Sequence, residues 1–392
     1  MNAQVRKTYK GGKRMNIKVE KGCTVWNLLC ILSVAGEFPL SSADVLGSPI
    51  TYRKLFYKLS EMQTYRNAET REMFSVSLLN YSGRGRQKKV RLNKGAIPIL
   101  QWLNMQSYYT EAFPSNRLSG GELNRIRASR VTDALAVMLR AGIEILPCNM
   151  PKLREENRYD SFQGNACFYT ARQLKKSLRK GENKIEFSRI VGALFAGRKL
   201  YPVYNTQNSA MKWNGMGELK TKPIFTNLGR INADAYQTDS VILLGRSEKV
   251  AMQTLFMHGQ KSNKTYRFDD IYANVHYIPL NENGARMLRL FTIQDFHERI
   301  LSWLFSTSMR SRGTFDCDAY LSGTYIFSCL DGNLARLTRF YEAATRSDKS
   351  FEVICYPFQT PFVKQLFHGK INIKEIPLET VETKLKGKGK LL

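Results

Sequence analysis

The sequence predicts an α/β protein in which a helical, hairpin-bearing module stands ahead of a helical connector and a mixed α/β domain. Three observations lead there. At 392 residues the chain is too long for one ordinary core. Up to Leu103 its hydrophobic period is helical and then hairpin-like, and from Ile190 onward strand–helix–strand patterns follow one another. A composition 43% hydrophobic and 11% aromatic supports real cores, which excludes a disordered or collagenous polypeptide. Sixty Lys+Arg against thirty-three Asp+Glu leave a formal charge of +27, which repels itself unless a polyanion lies nearby, so nucleic acid is the expected partner.

The first residues, 1–23, read as a basic arm carrying Arg6, Lys7, Lys10, Lys13, Arg14, Lys18 and Lys21. The apolar run from Thr24 to Gly36 falls short of the ~20 residues that a membrane-spanning helix needs, and it lacks a signal-peptide cleavage site. No membrane association is expected. Thr24 can cap a helix with Val25, Leu28, Leu29, Ile31 and Leu32 on its apolar face, ending near Gly36. A short helix over Ser41–Leu46 is stopped by Gly47 and Pro49. The third helix runs from Thr51 to Met62, with Tyr52, Leu55, Leu59 and Met62 on one side and Arg53, Lys54, Tyr57 and Glu61 on the other. Phe74–Leu78 then alternates as a strand, Ser82–Arg86 forms a flexible tip, and Lys89–Leu92 returns. One more helix follows Asn93-Lys94-Gly95.

Three helices, a β-hairpin and a closing helix are the order of a winged helix-turn-helix, assigned to residues 24–113. Such a third helix fits a major groove about 12 Å wide while the hairpin reaches along the backbone or into the minor groove. Between Ser82 and Lys94 the chain carries Arg84, Arg86, Lys88, Lys89, Arg91 and Lys94 and no acid. The expected DNA-contacting residues are therefore Arg53, Lys54, Tyr57 and Lys58 on the helix and Arg84, Arg86, Lys88, Lys89 and Arg91 on the wing. Tyr57 fits a half-buried structural aromatic equally well.

Residues 114–165 read as a helical connector around a helix from Glu122 to Ala141, and 166–380 as the α/β domain. Ile190–Leu194 and Leu200–Tyr204 pair as a hairpin, and Val241–Leu244 is a buried strand ahead of a helix over Glu248–Met257. Tyr325–Phe327, Asp331-Gly332-Asn333, an amphipathic helix and Phe351–Tyr356 suggest a right-handed crossover in a partly parallel sheet. Residues 381–392 read as a disordered basic tail.

The segments YSGRGRQKKVRLNKGAIPIL and NRIRASRVTDALAVMLRAGIEILP, with FSRIVGALFAGRKLYPVYNTQNSAMKWNGMGELKTK further on, resemble the replication-relaxation family, winged-helix proteins of plasmids and conjugative elements in Gram-positive bacteria. The resemblance reaches through Lys222. It implies a double-stranded-DNA-binding accessory protein that assists a relaxase in transfer, or acts in plasmid replication; the α/β domain is expected to hold a partner protein, to form a homodimer or to touch flanking DNA.

Two rivals stand beside that reading: a transcriptional repressor of the element, and a metal-dependent nuclease. The nuclease would use Glu218 and Lys220, whose E-x-K spacing on a strand would put a Mg²⁺-binding carboxylate and an ammonium on one side. No Asp or Glu occurs between Arg189 and Gly217 to complete such a site, and Asn205 stands near the expected place, which favours a degenerate nuclease-like fold. Asp316 and Asp318 fit a solvated loop and Asp331 fits a helix cap, although a strand end is also where α/β sheets hold ligands. Seven cysteines without a C-x-x-C pair suit a reducing cytoplasm, and four histidines, each alone in sequence, offer no metal site or triad. No cofactor and no metal are expected.

Overall fold

In the computed structural model, residues 16–85, 88–112, 122–146, 166–177, 189–196, 199–211, 216–232, 239–256, 271–310 and 315–386 are described. The chain is mixed α/β and divides into two units, Met1–Asp44 with Ser48–Ala128 and Val45–Gly47 with Ser129–Leu392. Among the described residues no helix is long and apolar enough to cross a membrane.

The first unit opens with a strand, β1 (Asn16–Val19), and α1 (Thr24–Ala35). Cys23, one residue ahead of the expected Thr24, caps α1: its Sγ accepts a 3.3 Å hydrogen bond from the Trp26 amide. Val25, Leu28, Leu29, Ile31 and Leu32 are all buried, so α1 forms the middle of the core. β2 (Glu37–Pro39), α2 (Ala43–Leu46) and α3 (Pro49–Ser60) follow. Pro49 suits the first turn of α3, where its missing N–H costs nothing. Phe56 and Leu59 anchor the helix, the Phe56 ring lying 5.6 Å from that of Phe38 in β2, and each buried side chain of this kind contributes roughly 1.5–3 kcal/mol.

After α3 the chain makes an excursion. β3 (Gln63–Asn67) and β4 (Met73–Val76) pair antiparallel, and β1 joins β3 in parallel, giving a sheet of order β1-β3-β4. The excursion closes at its base, where the Ser77 hydroxyl donates to the Ser60 carbonyl at 2.8 Å and the Leu78 amide to the Leu59 carbonyl at 2.9 Å. β5 (Leu79–Ser82) and β6 (Lys89–Leu92) then form an antiparallel hairpin, and β2 adds to β6, giving the order β2-β6-β5. α4 (Ile97–Trp102) and α5 (Gln106–Ala112) complete the unit, tied to β6 by a 2.7 Å hydrogen bond from the Tyr109 hydroxyl to the Leu92 carbonyl.

Three sequence-based expectations change here. The outgoing hairpin strand is Leu79–Ser82, whereas Phe74 belongs to β4, whose alternation is not matched by alternating burial because Met73, Phe74 and Ser75 are all exposed. The arm expected over 1–23 contains β1, held by parallel pairing from Asn16 to Val19; its remaining residues 1–15 lie outside the described ones. The third helix begins at Pro49 and ends at Ser60, leaving Met62 exposed beyond it.

In the second unit, α6 (Glu122–Arg140) buries Ala134, Leu135, Val137 and Met138 and leads into β7 (Glu144–Ile145), which pairs with β8 (Cys167–Thr170). The supposed connector therefore belongs to this fold from Ser129 on. α7 (Ala171–Ser177), the hairpin of β9 (Ile190–Ala196) and β10 (Lys199–Gln207), α8 (Met216–Asn232), β11 (Ser240–Gly245), α9 (Glu248–Phe256) and β12 (Asn274–Pro279) build a six-stranded sheet of order β12-β11-β10-β9-β8-β7. Its β8–β10 portion is an antiparallel meander and its β10–β12 portion is parallel.

α10 (Glu282–Phe291) and α11 (Phe296–Leu304) lead to a second sheet of β13 (Ala319–Leu321), β14 (Thr324–Ser328), β15 (Ser350–Cys355) and β16 (Asn372–Glu375), in that order. The crossover expected from the sequence is present: α12 (Leu334–Thr345) connects β14 to a parallel β15, and α13 (Thr360–Leu366) connects β15 to a parallel β16. A backbone bond from the Tyr277 amide to the Gly332 carbonyl at 2.8 Å joins the two sheets, and one apolar cluster runs from Tyr204 and Leu243 through Val275 to Phe327, Phe340 and Val353. The tail expected from 381 is a helix as far as Lys386: α14 (Leu378–Lys386) buries Leu378, Val381 and Leu385, and Arg286 holds Glu379 at 2.6 Å and Glu382 at 2.7 Å. Residues 387–392 lie outside the described ones.

Candidate nucleic-acid interface

α3 divides its residues by burial as an amphipathic helix must. Phe56 and Leu59 face the core, while Ile50, Arg53, Lys54 and Tyr57, at positions i, i+3, i+4 and i+7, form an exposed stripe in which Ile50 is 66% and Tyr57 59% accessible. Lys58 is half-buried beside them. From Ser48 to Ser60 there is no acidic residue, and Arg53 and Lys54 stand in the middle of the stripe, with the exposed Glu61 just past the end of the helix.

The β5–β6 hairpin stands beside this helix. The Leu78–Leu59 and Ser77–Ser60 bonds fix the start of β5 to the end of α3, and the Tyr81 phenol is pushed up first by its burial and then by the neighbouring Tyr57. Gly83 and Gly85 take φ of 75° and 54°, a left-handed backbone that a side chain would strain, so the tip turns without bulk. Arg84 is exposed there, and the exposed Lys88 ammonium sits 4.4 Å from the centre of the Tyr81 ring. That contact is worth about 0.5–1 kcal/mol and directs an otherwise loose cation. Arg86 lies outside the described residues.

Two expected contacts are committed elsewhere. Lys89 and Arg91 both pair with the buried carboxylate of Glu37 on β2, Arg91 at 3.2 Å, because the register sets Glu37 opposite Arg91 and Pro39 opposite Lys89. Their charges neutralise an acid that could not be buried alone. A sequence scan for basic residues misses this, since Glu37 lies far from the basic run.

The candidate nuclease pair does not come together. Glu218, Thr221, Phe225 and Leu228 recur at helical spacing and are buried, so E-x-K lies on α8 and not on a strand. Two residues apart on a helix is about 200°: Glu218 is 4% accessible, while Lys220 is exposed. Burial pushes the Glu218 carboxyl up, Arg189 opposing. Asn205 is engaged at both ends, its Nδ2 donating to the Arg130 carbonyl at 2.8 Å and its Oδ1 accepting from the Gln207 amide at 2.9 Å. Among the described residues no group of three or more His, Cys, Asp or Glu is placed to hold a metal ion.

The remaining acids of the second unit form a structural network. Arg336 joins Asp316 at 2.9 Å and Asp318 at 2.8 Å, and Arg339 holds Asp316 at 2.7 Å, so this pair is not a solvated loop. Asn333, not Asp331, caps α12. Asp331 is buried and takes His297 Nδ1 at 3.2 Å and His276 Nδ1 at 3.5 Å on one oxygen, while its backbone carbonyl accepts from His276 Nδ1 at 3.1 Å. Burial lowers the pKa of His276 despite Asp331; burial also acts against charged His297, but the hydrogen bond and charge of Asp331 prevail and raise it. The two histidines that are isolated in sequence thus meet on one carboxylate.

No protein-family model, curated protein or solved structure matches this chain. The resemblance to the replication-relaxation family therefore rests on the segments quoted above, and the functional reading rests on the surface itself.

Proposed function

We propose that the first unit is a winged helix-turn-helix that binds double-stranded DNA, with α3 reading bases in the major groove and the β5–β6 hairpin as the wing. The succession α1, β2, α2, α3, β5, β6 and the strand order β2-β6-β5 support that reading, with β3–β4 as an insertion. The observation that carries it is the attachment of the β5–β6 hairpin to the end of α3, with Arg53 and Lys54 exposed on the helix and Arg84 and Lys88 exposed on the hairpin. Arg53, Lys54 and Tyr57 serve base reading, while Lys58, Arg84, Arg86 and Lys88 serve phosphates; Lys89 and Arg91 hold the wing to β2. The protein's role follows from the family resemblance: an accessory of a mobile element that brings a relaxase or another transfer or replication protein to its DNA in the cytoplasm.

Fluorescence anisotropy on a labelled duplex tests the binding. With about four phosphates neutralised, log K falls against log[salt] with a slope of about −3.6. Arg84→Ala with Lys88→Ala makes the slope shallower by about 1.8 and weakens all duplexes alike, whereas Arg53→Ala costs about 1–3 kcal/mol at the selected sequence only. Unaltered affinity and slope in both variants removes the assignment. Recovery of bound fragments from host DNA then separates a transfer or replication origin from a promoter.

A further inference from the structure

A helix that only gripped phosphates would have no use for apolar side chains in its most exposed positions. α3 has two, Ile50 in its first turn and Tyr57 two turns later, with Arg53 and Lys54 between them on the same stripe. An isoleucine 66% accessible keeps most of its side chain open to a partner. The position favours one occupant. The first turn of a groove-reading helix comes closest to base edges, no acid occurs between Ile50 and Lys58, and the one apolar group that the major groove presents is the 5-methyl of thymine.

We infer that Ile50 and Tyr57 read thymine methyl groups, so that the DNA recognised by this protein carries two thymines flanking the base contacted by Arg53. This inference rests on the reading of α3 as the base-reading helix. The spacing follows for a helix whose axis runs along the stack of base pairs. Seven residues advance about 10 Å along the axis. Base pairs succeed one another every 3.4 Å, so the two thymines lie about three steps apart, with a guanine the best partner for the forked Arg53 between them. Tyr57 contributes its exposed ring, beside Tyr81.

Uracil lacks only the 5-methyl group, which makes it the probe. A duplex selected from a randomised pool with the full-length protein is resynthesised with uracil replacing thymine at one position at a time. Two positions, about three steps apart, should each weaken binding about fourfold, the worth of one methyl removed from water. Ile50→Ala should bind the thymine duplex about as weakly as the wild type binds the matching uracil duplex, and should then no longer distinguish the two bases at that position. Because Ile50 lies on the surface, an unchanged salt slope for Ile50→Ala shows that the phosphate contacts and the fold persist. Equal binding of every uracil duplex, with the salt slope intact, overturns the inference and leaves DNA binding standing. Failure of the wild-type protein to retain any duplex overturns both.

Discussion

His297 and His276 show how one carboxylate gives two imidazoles opposite tendencies. Asp331 is buried, its own pKa held low because the stabilisation from His297 and His276 exceeds the cost of burial. The folded pKa of His297 is raised, so the stability it supplies is fully present below its ordinary value of 6.5 and is lost as pH rises through the folded value. His276 acts the other way: its folded pKa is lowered, so folding opposes its protonation and stability falls as pH drops below 6.5. Asp331→Asn should therefore bring the His297 titration, followed by the imidazole proton resonance, down below 6.5. A His297 titration unchanged by Asp331→Asn would show that the pair is not formed. None of this was legible in the sequence, where the three residues lie on separate elements and Asp331 adjoins a helix start. The exposed stripe of α3 was legible, because helical periodicity alone separates Arg53, Lys54 and Tyr57 from Leu59.

At the scale of elements, β6 has two jobs that composition merges into one. Just ahead of it Lys88 stands exposed over Tyr81, while Lys89 and Arg91 secure the strand to β2 through Glu37. Glu37→Ala leaves two part-buried cations without their acid and should lower the stability of the first unit by about 1–3 kcal/mol, read as a fall in the urea midpoint at unchanged m. Its affinity for a duplex should not fall, since no cation at the tip is lost; a salt slope made shallower by Lys89→Ala with Arg91→Ala at intact fold would assign those two to phosphates instead. The hairpin itself was foreseen, but its outgoing strand was placed at Phe74–Leu78. Two strands with similar alternation stood in succession, and only the pairing of β4 with β3 decides between them. E-x-K failed for a related reason: a three-residue spacing carries no period, whereas Glu218, Thr221, Phe225 and Leu228 together do.

For the whole molecule, the charge of +27 set the expectation of a polyanionic partner, yet it overstates how many cations stand ready for one. In the second unit Arg246 pairs with Asp133, Arg286 with Glu379 and Glu382, Arg310 with Glu298, and Arg336 with Asp316 and Asp318. These pairs join distant parts of the chain, which is why a count of residues could locate neither the interface nor the last helix. Residues 381–392 read as a tail because their lysines alternate with small and apolar residues, but Val381 and Leu385 lie one turn apart on α14 and are buried. Removing residues from Leu378 onward should cost the second unit roughly 1.5–3 kcal/mol for each buried side chain lost and leave Arg286 unpaired. A truncated protein that melts at the wild-type temperature would return α14 to the status of an appendage.

The two hydrogen bonds at the neck of the β3–β4 excursion separate its far turn from the geometry of helix and hairpin. Because Ser60 is bonded to Ser77 and Leu59 to Leu78, the spacing from helix to hairpin is settled before the intervening residues are counted. A change of length at the exposed Thr70–Arg71 turn therefore leaves the exposed side chains of α3 where they are, and a fluorophore attached there leaves the neck intact.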